Sequence, residues 1–216
     1  MSAAFRVLLA VGLASAISLA NAFPQTNSSW RFEVYLDDSR IGFHEFELEE
    51  QADGRLKLQA NARYDVKFLF INAFRYRHNI EEIWRGNCLT DIDASTNSNG
   101  SKTRVEGKLT EQGFQIETGE SERALGACVM TFAYWNPAFL KQSRLLNPQT
   151  GEFLEVEVEA LAQDTVRLHG RDVAATGYLI KARNMEVKVW YSENQVWLAL
   201  ESPTKSGRVL RYERQS

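Results

Sequence analysis

The chain has 216 residues, 44% of them hydrophobic, with 25 Lys and Arg against 28 Asp and Glu and a formal net charge of −3 at pH 7. Acidic and basic residues are interspersed, so no basic patch argues for a nucleic-acid partner and no acidic tail for a solvated arm. The length suits one domain that buries roughly 70% of its unfolded surface.

The chain opens on "MSAAFRVLLAVGLASAISLANA". Arg6 precedes an apolar run from Val7 to about Leu19, and Ala20-Asn21-Ala22 has the small-x-small pattern of signal cleavage. The run is shorter than the ~20 apolar residues a bilayer span needs. It also ends at a cleavage pattern rather than at charges. The expectation is a cleaved export signal over residues 1–22 and a single β domain over 23–216, periplasmic or secreted. No Cys follows the cleavage point to carry a lipid, and no later segment is apolar enough to span a membrane.

Period-2 alternation then dominates. "WRFEVYLDD" puts Trp30, Phe32, Val34 and Leu36 on one face and Arg31, Glu33, Tyr35 and Asp37 on the other. "DDSRIG" turns the chain, "IGFHEFELEE" returns, and "ADG" (52–54) signals a hairpin. "RLKLQANARYDV" alternates again, with Leu56, Leu58, Ala60, Ala62 and Tyr64 on one side, and "FRYRHNIEEIW" does the same through Phe74, Tyr76, His78 and Ile80. Short strands continue through "TRVEGKLT" and "GFQIETG". After residue 152 come "EFLEVEVEAL", "TVRLHG", "TGYLIKA", "MEVKVWYSENQVWLALESP" and "GRVLRYER", with Ser192-Glu193-Asn194 as a tight hairpin. Many short strands at this spacing predict a mainly β fold, an antiparallel barrel or strongly curved sheet with one buried face.

One segment breaks the pattern: "FAYWNPAFLKQSRLLNPQTGE", residues 132–152. Asn136 suits a helix cap and Pro137 the first helical position. Pro148 and Gly151 end the segment. It predicts a short helical stretch near 137–146 laid across an open end or face of the sheet, a plug or lid.

Cys88 and Cys128 are the two cysteines. In an exported chain an even count favours a disulfide. The alternatives are two buried thiols or a metal pair. The metal reading is poor, because there is no CxxC and the three histidines (His44, His78, His169) lack ligand spacing.

The quoted strands, and above all the run Cys-x-x-x-Phe-x-Tyr-Trp-Asn-Pro followed by Gln-x-x-Leu-Leu-Asn-x-Gln-Thr-Gly, resemble a family of exported bacterial proteins of unknown function. The resemblance covers nearly the whole mature chain and implies no activity. The ending "WYSENQVWLAL" is also similar to the last strands of periplasmic β proteins related in architecture to lipoprotein carriers. That similarity implies a half-open barrel around an apolar interior and no chemistry.

Catalytic signatures are weak. There is no G-x-S-x-G elbow. His44 and His78 lie in strands, where a lone His is commonly structural. Asp91 with Asp93, and Glu155 with Glu157 and Glu159, alternate as solvated strand faces do. No catalytic residue, metal site or cofactor is assigned. The aromatics carry more information. Trp30, Trp84, Trp135, Trp190 and Trp197 can fill a β core or line an apolar cavity. In the irregular segment Phe132, Tyr134, Trp135 and Phe139 can line such a cavity, with Asn136, Gln142, Asn147 and Gln149 as the polar groups that orient a ligand, or as caps and turn residues beside proline. Tyr134, Trp135, Asn136, Phe139 and Gln142 are the candidate ligand-binding residues. The leading expectation is a binding module for an apolar or amphipathic small molecule or lipid. The alternatives are an enzyme using His44 or His78 as acid or base, or an envelope protein–protein adaptor using a sheet edge.

Overall fold

A computed structural model of the protein describes residues 27–68, 71–119 and 121–215. The expected export signal at 1–22 lies outside the described residues. Fourteen strands form one antiparallel sheet: β1 (Ser28–Leu36), β2 (Ser39–Glu50), β3 (Leu56–Phe68), β4 (Ile71–Arg85), β5 (Cys88–Ser98), β6 (Ser101–Thr110), β7 (Gly113–Thr118), β8 (Ser121–Ala124), β9 (Arg144–Leu146), β10 (Phe153–Leu168), β11 (Arg171–Ala182), β12 (Met185–Tyr191), β13 (Trp197–Pro203) and β14 (Val209–Arg214). Their order across the sheet is β8-β7-β6-β5-β4-β3-β2-β1-β14-β13-β12-β11-β10-β9. All but one neighbouring pair is consecutive in sequence. The exception, β1 with β14, brings the first and last strands together mid-sheet.

The alternation expected from the sequence is the burial pattern. Phe32 and Val34 are fully buried, and Leu56, Leu58, Ala60, Ala62 and Tyr64 all face inward. The outward faces carry ion pairs such as Arg104 with Asp93 at 2.8 Å and Lys181 with Glu159 at 3.4 Å. The sheet is curled rather than flat. Tyr64 on β3 and Tyr212 on β14 are separated by two strands, yet their hydroxyls hydrogen-bond. Phe46 on β2 meets Trp197 on β13 with ring centroids 5.5 Å apart. Strands spaced about 4.8 Å apart bring such side chains together only on a concave face.

The segment between β8 and β10 packs into that concavity. Cys88 and Cys128 form a disulfide that ties its start to β5, and Leu89 N–H donates to the Val129 carbonyl at 2.9 Å beside it. Val129, Phe139, Leu145 and Leu146 are fully buried. Trp135 packs edge-on to Trp84 of β4, at 5.6 Å between centroids, while Tyr134 packs on Trp197 of β13 at 5.3 Å. One segment therefore touches both halves of the curl and acts as a plug.

The helical part is shorter than expected. A 3-10 helix runs over Pro137–Lys141, with Asn136 as its cap accepting from the Ala138 N–H at 3.1 Å. Residues 144–146 are strand β9, not helix. Their backbone pairs with Phe153–Glu155 of β10, and Leu146 N–H donates to the Met130 carbonyl at 2.8 Å. Tertiary pairing outcompetes a second helical turn that has no further cap. The turn back into β10 uses Gly151 at φ +75°, where a Cβ would meet the Thr118 methyl at 2.4 Å. Two sequence readings are also extended. "EFLEVEVEAL" and "TVRLHG" join in one strand, β10, irregular between Ala160 and Gln163. The loop after Tyr191 takes five residues before Trp197, closed by a Ser192 N–H bond to the Val196 carbonyl at 2.9 Å.

Candidate functional site

Between the plug and the sheet lies a cavity of about 200 Å³. Its origin is a local change of side-chain size on the concave face. Strand register sets His44 of β2 beside Ala62 of β3, Ala62 beside His78 of β4, and His78 beside Thr96 of β5. The adjacent row runs Phe46, Ala60, Ile80, Ala94. Two alanines in the middle strand, flanked by large side chains, leave a hollow with Ala60 and Ala62 as its floor. The wall includes His44, Phe46, Tyr76, His78, Trp197 and Tyr212, and the plug residues Thr131 to Trp135 form the roof.

The wall is aromatic and its polar groups are mostly paired. Tyr64 stacks on Tyr76 at 5.0 Å and shares a hydroxyl–hydroxyl bond with Tyr212. Burial raises all three of these phenols above their ordinary value. His78 Nδ1 lies 2.9 Å from the Thr96 hydroxyl oxygen, and burial lowers its imidazole to about 4. Glu82 is buried in the lining and accepts hydrogen bonds from Trp84 Nε1 at 3.1 Å and from the Thr131 hydroxyl. Desolvation outweighs those bonds and raises its carboxyl to about 7.

Two lining residues lack partners. Both ring nitrogens of His44 are buried with no hydrogen-bond partner among the described residues, and so is Nε1 of Trp135. The His44 ring lies against Phe46 at 4.1 Å and Tyr212 at 5.8 Å. Burial, with a smaller contribution from His78, lowers it to about 3, so the ring is neutral. A neutral imidazole carries one donor and one acceptor. Leaving a buried polar group unmatched costs about 1–3 kcal/mol.

Of the candidate residues from the sequence, Tyr134 and Trp135 line the cavity, together with Phe132, Asn147 and Gln149 of the same segment. Asn136, Phe139 and Gln142 lie outside its lining. Asn136 caps the 3-10 helix and donates to Asn87 Oδ1 at 3.1 Å. Phe139 packs edge-on to Tyr134 at 5.5 Å, and Gln142 Nε2 reaches the Ala138 carbonyl at 3.4 Å. His44 and His78 share the cavity, but they pack on aromatic rings and His78 bonds to Thr96 and the Ser95 backbone, and neither ring has a carboxylate partner among the described residues that would orient a base. Sequence reasoning did not single out Glu82, Tyr64, Tyr76 or Tyr212 for the site. The available signal was Ala60-x-Ala62 within an inward face of larger residues. It becomes a hollow only when the register places His and aromatic side chains on both sides. No group of acidic, His and Cys residues suited to a metal ion occurs among the described residues. No helix among them is long and apolar enough to cross a membrane.

The chain belongs to a family described as a domain of unknown function, DUF6134, which matches residues 32–215. No curated protein matches the sequence. Its fold is similar to the crystal structure of a beta-barrel-like protein of domain of unknown function DUF1849 from Brucella abortus. The TM-score is 0.61 at 11% sequence identity, over 87% of this chain and 95% of that one. That likeness supports the β-barrel-like architecture and carries no activity.

Proposed function

We propose that this member of a family of unknown function is an exported binding module, which holds an apolar or amphipathic small molecule in the cavity between plug and sheet. The observation that carries the reading is the hollow over Ala60 and Ala62, walled by aromatic rings and roofed by the disulfide-tethered plug. Small barrels are usually filled by their own side chains. Here Ala60 and Ala62 stand among larger lining residues, and three buried polar atoms of the lining have no hydrogen-bond partner among the described residues. Both features suit an occupant that brings apolar surface and a polar group. Export draws its support from the leader pattern at residues 1–22 and from the disulfide, which persists in oxidising compartments.

The test is to fill the hollow. Ala62→Leu places a larger apolar side chain between His44 and His78, at a cost of about 1–3 kcal/mol if it overpacks. Toluene titrated into the wild-type protein should shift the NMR signals of the cavity methyl and aromatic groups in a saturable way. The folded Ala62→Leu variant should show no such shifts. Equal response of the two proteins, or none from either, rejects the cavity as a ligand site.

Acid–base catalysis by His44 or His78 draws less support, because neither ring has a carboxylate partner and both are held neutral. The adaptor reading rests on the exposed edge strand β8.

A further inference from the structure

We propose that the ligand is uncharged and bears a hydroxyl group, which pairs with His44 while its hydrocarbon part lies on the aromatic wall. This rests on the reading of the cavity as a ligand site and adds the chemistry of the occupant. The first observation is what the lining lacks. Among the described residues no lysine or arginine lines the cavity, so an anionic head would be buried without a counter-ion. Among the described lining residues the one acid is Glu82, which burial holds toward its neutral form and which is already bound by Trp84 and Thr131, so it is poorly placed to receive a cation.

The second observation is what the lining offers. His44 presents a buried donor and a buried acceptor with no protein partner. The two nitrogens point away from each other around the ring, so one hydroxyl serves one of them, as donor or as acceptor according to the tautomer, whereas an ether or ketone only accepts. Trp135 is 5% exposed, and its unpartnered Nε1 adds one more donor to the lining. The protonation states agree with the geometry: His44 and His78 are neutral, and the tyrosines Tyr64, Tyr76, Tyr134, and Tyr212 keep their protons at pH 7. Size is consistent as well. A cavity of about 150 Å³ accommodates benzene. About 200 Å³ leaves room for a ring with a one-carbon polar substituent.

Four probes of one size separate the possibilities: toluene, benzyl alcohol, benzoate and benzylammonium, titrated into the full-length mature protein at pH 7 and followed by NMR and calorimetry. Benzyl alcohol should bind roughly 3- to 10-fold more tightly than toluene, the gain of one hydrogen bond to a buried partner. The two ions should bind about 100-fold more weakly than the alcohol or not at all. His44→Phe should retain toluene binding and erase the advantage of the alcohol. Benzoate or benzylammonium binding as tightly as the alcohol overturns the uncharged-ligand inference and leaves the cavity reading intact. Equal affinity for toluene and benzyl alcohol in the wild type overturns the role of the hydroxyl. Failure of all four probes overturns the cavity reading itself. The wild-type ranking alone decides the inference should His44→Phe not fold.

Discussion

Replacing Glu82 by Gln should flatten one limb of the protein's pH–stability profile. Glu82 is 2% exposed on β4, and its carboxyl is raised from 4.5 to about 7. A folded-state value above the unfolded one means that the folded protein holds the proton more tightly. The stabilisation is then fully present below pH 4.5 and is lost as the pH rises through about 7. A rise of that size corresponds to roughly 3 kcal/mol in all, most of which falls between pH 5 and pH 8.5. The histidines act in the opposite sense. His44 and His78 are lowered from 6.5 to about 3 and about 4, so their contribution is present above pH 6.5 and is lost as the pH falls. The raw profile mixes the two effects, but the difference between wild type and Glu82→Gln cancels the histidines. Urea unfolding, followed by tryptophan fluorescence with the disulfide intact, measures that difference at each pH. The wild type should lose about 2–3 kcal/mol relative to the variant between pH 5 and pH 8.5. A difference that stays constant to within about 0.5 kcal/mol would refute the account of Glu82 as a buried, neutral acid.

Protein isolated without reductant should take up no alkylating agent on Cys88 or Cys128, and mass spectrometry should find two modified thiols only after reduction. The disulfide closes a separation of 40 residues, so reduction should lower stability by roughly 4 kcal/mol. Two alkylated thiols in the unreduced protein would contradict the pairing. Trp135→Ala should cost about 3–5 kcal/mol in the same urea assay, because the indole is buried against Trp84 and truncation opens a void. The variant should also bind toluene more weakly, since Trp135 is part of the cavity roof. A stability change under about 1 kcal/mol would show that the plug does not seat as described.

The sequence by itself determined the class of fold and the inner face of most strands. Strict alternation in "WRFEVYLDD" and "RLKLQANARY" decides which side chains are buried, because a strand has period 2 and one side must leave water. It also marked the one irregular stretch, through Asn-Pro at both ends, and the pair of cysteines that tethers it. Tyr134 and Trp135 were legible as cavity residues for that reason, since aromatics in a non-alternating segment must pack on something other than their own strand.

Only the tertiary structure decided the rest. Arg144–Leu146 forms a strand because β10 supplies a backbone partner that local propensity cannot see. Asn136 and Gln142 turn inward on their own segment, as cap and helix-end contacts, rather than toward the cavity. The site itself joins β2, β3, β4, β12, β13 and β14 with the plug. His44 and Tyr212 are 168 positions apart in the chain and meet because the sheet curls and β14 closes on β1. Pairing register is a long-range property, and curvature is set by the sum of twists over the whole sheet. The hollow over Ala60 and Ala62 therefore exists only where both bring large side chains around two small ones.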